Sequence, residues 1–223
     1  MKSDFFDKEY FFGKNKSNYQ NYQRYDNDWY WRPFLKLLEK CFQLRGRKQI
    51  SVSEKKGRVL ELGCAFGFFL KRLQPFFDEV YGGDISEFAI NQAEKNLSGV
   101  NLDKVDLNEK LNYPNEHFDC IVALDVLEHT DSLEASMQRI VLKLKKEGCL
   151  LISLPIRDTW AGKIFQNFDK DKSHTSVPNL KELENIFAKL NLEVIKKRFF
   201  WNVIFFQWRG IPVDVAYVLK FKK

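Results

Sequence analysis

The chain has 223 residues, 44% hydrophobic and 15% aromatic, which suits the core of one ordinary domain and excludes a disordered tail or a fibre. Its net charge of +6 is unevenly spread: residues 1–57 hold 13 basic and 7 acidic side chains, 58–195 hold 16 and 22, and 196–223 hold 7 and 1. Lysine-rich ends around an acidic middle read as solvated faces rather than a nucleic-acid footprint. The longest uncharged run near the end, Phe199–Trp208, covers ten positions, about half of the roughly 20 that a membrane span needs.

Asp4 and Asp7 stand where a secretory signal would carry its apolar stretch, so a cytoplasmic protein is expected. Cys41, Cys64, Cys120 and Cys149 are widely separated, and so are His117, His129 and His174, which argues against a disulfide scaffold and against a metal site. Asp169-Lys170-Asp171 opens like a calcium loop, but His174 and Leu180 occupy the places of its glycine and closing glutamate.

From the start, Tyr10, Phe11, Phe12, Tyr19, Tyr22, Tyr25, Trp29, Tyr30 and Trp31 are too many aromatics for an idle tail. Pro33 is expected to start a helix in which Phe34, Leu37, Leu38, Cys41 and Phe42 recur at helical spacing. The organisation changes after Gln43–Gly57, and we divide the chain into residues 1–57, an aromatic and helical segment, and 58–223. Apolar runs at 58–62, 79–82, 101–105, 118–124 and 149–154 then alternate with helical patterns at 67–75, 86–97 and 132–145. Such alternation implies a parallel sheet with helices on both faces. A helix at 179–190 follows, then strands near 192–206 and 213–221, joined by Arg209-Gly210-Ile211-Pro212 in a hairpin.

Val59-Leu60-Glu61-Leu62-Gly63-Cys64-Ala65-Phe66-Gly67 is an apolar strand running into a glycine-bearing turn and a helix. Ligands of open α/β sheets bind at such turns, where glycine lets backbone approach and the helix start offers free N–H groups. The second strand, Val80-Tyr81-Gly82-Gly83-Asp84, ends in a carboxylate 21 residues after Gly63, near the spacing at which such folds place an acid for ribose hydroxyls. The alternative roles are plain turn geometry for Gly63 and Gly67 and a helix cap for Asp84.

On these residues the chain resembles the class I S-adenosylmethionine-dependent methyltransferases, especially the ubiquinone-biosynthesis-like and related small-molecule enzymes, over residues 57–200. The resemblance implies a mostly parallel seven-stranded sheet with one antiparallel strand and an N-terminal helical lid. It implies S-adenosyl-L-methionine as cofactor and S-adenosyl-L-homocysteine as product. Glu61, Gly63, Cys64, Ala65 and Gly67 correspond to the turn that holds the methionine part, with Ala65 where the family has a central glycine. Asp84 corresponds to the ribose-binding acid, and Ile85 follows it. Asp106 and Leu107 correspond to the adenine contacts. Leu124, in the strand before Leu127-Glu128-His129, and Tyr22, from the opening segment, complete the expected set.

A sulfonium is already an activated methyl donor, so the protein has mainly to align a nucleophile and exclude water. A general base helps where the acceptor is a hydroxyl or protonated amine, and histidine suits neutral pH. His129, after the fourth strand, and His174, in the polar loop 169–175, are the candidates; local capping and an exposed loop histidine are the plainer alternatives. His117 lies at the opposite edge and reads as structural. Tyr22, Tyr25 and Trp29 are expected on one helical face, some of them closing the pocket as a lid, with ordinary core packing as the alternative. The stretch Lys196–Trp208, with Phe199, Phe200, Trp201, Phe205, Phe206 and Trp208, reads as core or dimer packing, or as a peripheral membrane contact.

The expected activity is O- or N-methylation of a small-molecule acceptor by a monomer or homodimer. A non-catalytic cofactor-binding module is the second reading. A nicotinamide-dependent oxidoreductase is the third, disfavoured because the turn lacks the second glycine of G-x-G-x-x-G.

Overall fold

The computed structural model describes residues 3–13, 16–42, 57–167, 169–203 and 206–223. The boundary expected near residue 57 adjoins 43–56, and this stretch and Phe205 lie outside the described residues. Eight strands form one sheet: β1 (Arg58–Leu62), β2 (Glu79–Asp84), β3 (Asn101–Lys104), β4 (Phe118–Leu124), β5 (Leu144–Pro155), β6 (Leu192–Val203), β7 (Phe206–Arg209) and β8 (Asp214–Phe221). Their order is β3-β2-β1-β4-β5-β8-β6-β7. The first five are parallel, and β8 runs antiparallel between β5 and β6.

The expected seven strands are therefore eight. β7 pairs with the outer edge of β6, while β8 takes its inner edge, so the predicted hairpin is interrupted by an added edge strand. Arg209 and Gly210 lead from β7 to β8 rather than from β6 to β8.

Among the described residues, seven helices cover the sheet: α1 (Lys8–Phe12), α2 (Asp28–Phe42), α3 (Phe68–Leu73), α4 (Glu87–Asn96), α5 (Leu133–Val141), α6 (Trp160–Gln166) and α7 (Leu180–Lys189). Side-chain caps set where several begin: the Ser86 and Ser132 hydroxyls accept N–H groups of α4 and α5, and Asn179 with Glu182 forms a capping box on α7. α2 starts at Asp28, not at Pro33, because Asn27 Oδ1 accepts the Tyr30 N–H at 2.9 Å. Pro33 falls in the second turn, where its missing N–H deprives the Trp29 carbonyl of a partner. α5 stops at Val141 rather than 145, since β5 already claims Leu144, opposite Phe118.

The core lies in two layers, one on each face of the sheet. In β4, Cys120, Val122 and Leu124 face the first layer, and Phe118, Ile121 and Ala123 the second. The strand from Cys120 to Ala123 has no exposed surface, which accounts for its unbroken apolar sequence. The opening aromatics belong to the first layer: Phe11 meets Phe66 at 4.9 Å between ring centres, and Tyr22 lies parallel to Phe68 at 5.8 Å. Each such burial contributes about 1.5–3 kcal/mol, so this segment is part of the domain's packing.

The strand order reverses between β1 and β4, leaving a crevice at their carboxyl ends. The register aligns Leu62 with Gly83 and with Ala123, so the tips of β1, β2 and β4 reach one edge together.

Candidate active site

Where β1 ends, the chain turns through Gly63 (φ 72°), Ala65 (φ 46°) and Gly67 (φ 75°), all in the left-handed region. A Cβ on Gly63 would come within 2.6 Å of Val126 Cγ2, so glycine is required there for both conformation and space. Ala65 adopts the same handedness at a cost of about 1–2 kcal/mol. The turn is tied to β2: the Gly63 N–H donates to the Gly83 carbonyl at 2.8 Å, and the Ala65 N–H to Asp84 Oδ2 at 2.8 Å.

Asp84 is buried, and its Oδ1 accepts the Ser86 N–H at 2.8 Å. Burial pushes its carboxyl up to about 6, against the pull of backbone N–H groups from Ser86, Ala65 and Ile85. The helix cap is Ser86, so Asp84 is not the cap that its position allowed.

These tips frame a cavity with about 750 Å³ of space between protein atoms, open solvent at its mouth included. Its wall holds Gly63, Ala65, Asp84, Ile85, Asp106, Leu107 and Leu124, all predicted from sequence, with His129 at one side. Asp106 Oδ1 accepts the Asn108 N–H at 2.8 Å, which fixes the loop after β3. Glu61, Cys64 and Gly67 are not in the wall. The Glu61 carboxyl is buried beneath the turn, where desolvation and then Asp84 push it well above the usual range, and its Oε2 has no hydrogen-bond partner. Gly67 caps α3.

The opening segment roofs the cavity with Phe6, Tyr10, Phe11, Tyr19 and Tyr22. Tyr22 and Tyr25 lie in a short 3-10 turn, not on a helical face with Trp29, which heads α2 and is 77% exposed. Hydrogen bonds fasten this roof: the Ser86 hydroxyl donates to the Phe6 carbonyl, the Tyr10 hydroxyl to Asp171 Oδ2 at 2.8 Å, and the Asn18 amide to Asp169 Oδ1 at 2.9 Å.

A second cavity adjoins the first, and Tyr10, Tyr19, Asp125 and His129 line both. Here the scattered histidines converge, since the rings of His129 and His174 are 4.9 Å apart. The cause is local: the N–H groups of Thr175 and Ser176 both donate to the Glu128 carbonyl at 2.9 Å, holding loop 169–176 against the Leu127–His129 turn. Ligand atoms of Glu128, His129 and His174 lie within 4.8 Å of one another, close enough to share a cation, which spacing in the sequence did not suggest.

The Ser173 hydroxyl donates to Asp171 Oδ1 and lies 2.7 Å from His129 Nδ1. A hydroxyl has one hydrogen to give, so we assign His129 Nδ1 as the donor to Ser173 and the lone pair to Nε2. Burial, then the neighbouring His174, push His129 down to about 4, so it is neutral at physiological pH. His174 goes the other way: although burial lowers it, Asp169 Oδ2, 2.5 Å from Nδ1, raises it overall. His117 packs on Phe118 at the opposite edge, as expected.

A family model for a methyltransferase domain matches residues 29–197. The chain belongs to the methyltransferase family. This methyltransferase is 26% identical over 203 residues to a ubiquinone biosynthesis O-methyltransferase of Rhizobium etli, covering 84% of this chain and 82% of that one. It is 31% identical over 148 residues to an uncharacterised protein of Methanocaldococcus jannaschii, covering 66% of each chain. Solved SAM-dependent methyltransferases of Thermotoga maritima (TM-score 0.63, 19% identity, 90% of this chain and 96% of that) and Archaeoglobus fulgidus (0.62, 20%, 85% and 94%) share its fold.

S-adenosylmethionine is the methyltransferase's cofactor, and the first cavity fits it. Carboxyl groups at the tip of β2 and just past β3, Asp84 and Asp106, would meet the hydroxyl and amine donors of an adenosyl group, while Ile85, Leu107 and Leu124 would offer apolar surface to its base. Asp125, Glu128, Tyr10 and Asp171 were given no site role from the sequence, although Tyr10 stood among the opening aromatics and Asp171 in the rejected calcium loop. Asp125 sits in the left-handed region at φ 49°, a conformation that its neighbours Leu124 and Val126 do not announce.

Proposed function

We propose that this methyltransferase transfers the methyl of S-adenosylmethionine to the oxygen or nitrogen of a small-molecule acceptor. The observation that carries this reading is the wall shared by two cavities, one suited to the cofactor and the other lined by His129 and His174.

Bound in the first cavity, the cofactor supplies a methyl already activated on sulfonium. Asp84 accepts ribose hydroxyls, Asp106 and the Leu107 backbone take the adenine edge, and the turn at Gly63–Ala65 receives the methionine end. Tyr22 and its neighbours form the lid, excluding water from the reacting atoms. Glu61, Cys64 and Gly67 act from behind by fixing the turn. His129, held through Ser173 by Asp171, accepts a proton at Nε2, while His174 orients the acceptor and shares the proton load. Such a base contributes about 10²–10⁴-fold.

In this reading residues 1–57 are the lid segment and 58–223 the catalytic domain, acting on a small molecule rather than nucleic acid. Among the described residues no helix is long and apolar enough to cross a membrane. Cys64, Cys120 and Cys149 are buried and outside any disulfide, which supports placing the protein in a reducing compartment such as the cytoplasm. The apolar end contributes mainly packing: Phe200 is buried against Phe34, while Trp208 stays exposed for a second copy or a lipid surface.

Calorimetry with S-adenosylmethionine, S-adenosylhomocysteine and nicotinamide dinucleotide, on the wild type and Asp84→Ala, tests the ligand. The first two should bind the wild type and lose affinity in the variant. Binding of the dinucleotide alone would reject the reading.

A further inference from the structure

The second cavity carries a charge pattern that methyl donation does not use. Four carboxyl groups line it, those of Asp125, Glu128, Asp171 and Asp214. Asp171 is satisfied by Tyr10 and Ser173. Asp125 is held by the Ser153 hydroxyl at 2.7 Å and more loosely by the Asn202 amide at 3.3 Å. Asp214 Oδ2 receives a long 3.4 Å contact from the Asn202 N–H. Glu128 is the outlier: 1% exposed, in the cavity wall, with Oε2 lacking any hydrogen-bond partner.

Burial, then Asp125, push the Glu128 carboxyl well above its ordinary range, and a cationic donor placed against it would favour its ionised form and fill the missing hydrogen bond. The positive groups nearby do not serve it. Arg24 is exposed at the mouth, and His174 is engaged by Asp169. Beside neutral polar groups such as Asn18, Gln20 and Asn21, one wall is aromatic: Tyr25 lies 5.4 Å from Tyr19 at 87° and 5.0 Å from Tyr30 at 88°, with Trp201 lining the same space. Ring faces attract a cation, most strongly where water is excluded. An anionic acceptor would meet repulsion here, and a neutral one would offset less of the negative charge that the clustered carboxyl groups can carry.

We propose that the acceptor carries a protonated amine, with its ammonium seated among Glu128, Asp125 and Asp214 and its carbon frame against Tyr25, Tyr30 and Trp201. This rests on the reading of the second cavity as the acceptor site. It narrows the acceptors to cationic amines, whichever atom receives the methyl.

The test is calorimetry with matched pairs, tyramine against 4-ethylphenol and tryptamine against 3-ethylindole, with and without saturating S-adenosylhomocysteine. Each amine is expected to bind at least about tenfold more tightly than its neutral partner. Glu128→Gln should lower amine affinity by about tenfold while leaving S-adenosylhomocysteine affinity within about twofold. Tyr25→Leu should weaken amine binding and Tyr25→Phe preserve it, which decides the matter even where Glu128→Gln fails to fold. Neutral partners binding as well as the amines, or no amine binding at all, would overturn the proposal. So would Mg²⁺ or Zn²⁺ occupying Glu128, His129 and His174 with the amine preference absent. Failure to bind S-adenosylhomocysteine would reject the cofactor reading instead, and the amine ratio measured without it still decides this one.

Discussion

The Ala65 N–H donates to the Asp84 carboxylate at 2.8 Å, binding the turn after β1 to the tip of β2 across 19 residues of sequence. That bond makes the two halves of the sequence motif one object. It also makes cofactor binding depend on pH, because burial holds the Asp84 carboxyl near 6 rather than its ordinary 3.8. Ribose hydroxyls need acceptors, and protonation removes one. Affinity for S-adenosylhomocysteine should therefore be flat above pH 7 and fall about tenfold by pH 5. A titration showing constant affinity over that range would contradict the assignment of Asp84. The same shift has the opposite sign for folding: between pH 3.8 and about 6 the folded state holds this proton more tightly than the unfolded chain, so on this group alone stability falls as pH rises through that window.

Ala65 occupies the left-handed region at φ 46°, where glycine is unstrained. Ala65→Gly relieves about 1–2 kcal/mol of backbone strain and adds about 0.4–1 kcal/mol of unfolded-state entropy. Urea unfolding should show a net gain of about 0.5–1 kcal/mol, with cofactor affinity retained. A loss of stability would mean that the alanine methyl, which lies in the cavity wall, contributes packing that outweighs the strain.

His129→Ala and His174→Ala should both slow turnover, by up to about 10²–10⁴-fold for the residue that takes the proton, with cofactor affinity nearly intact. His129 is neutral down to about pH 4, so its loss should remove rate evenly across neutral pH. Burial lowers His174 but Asp169 more than offsets it, so the ring keeps its proton to higher pH than an ordinary histidine and the effect of its loss should vary with pH. Unchanged turnover in both variants under single-turnover conditions would remove the general base.

Tyr10→Phe deletes the hydroxyl that ties the roof to Asp171. About 1–3 kcal/mol of stability should be lost, since a buried carboxylate forfeits a donor. Stopped-flow release of S-adenosylhomocysteine should accelerate by several-fold. Lower stability with unaltered release would assign the bond to packing and not to closure.

Much of the site was legible in local sequence because its chemistry is local. A strand, a turn needing left-handed residues and a carboxylate one strand later follow from short-range sterics and spacing, and all three are where they were expected. Asp84 as a helix cap was resolved against by Ser86, whose hydroxyl is the better-placed acceptor. What stayed hidden depends on long loop closures: Tyr10 and Asp171 are 161 residues apart, and the meeting of His129 with His174 requires the loop after β5 to fold back onto the turn after β4. Trp29 failed as a lid residue because helical spacing was assumed across a 3-10 turn and a break at Asp26 and Asn27. β7 was missed because a four-residue edge strand paired on one side has too few positions to show a period.

The most direct measurement is a crystal structure with S-adenosylhomocysteine. The ribose hydroxyls should lie within hydrogen-bond distance of Asp84, the adenine beside Asp106, and the thioether sulfur toward the wall shared by Asp125 and His129. A ligand bound elsewhere, or a turn at Gly63–Gly67 that stays closed to it under saturating conditions, would contradict the account.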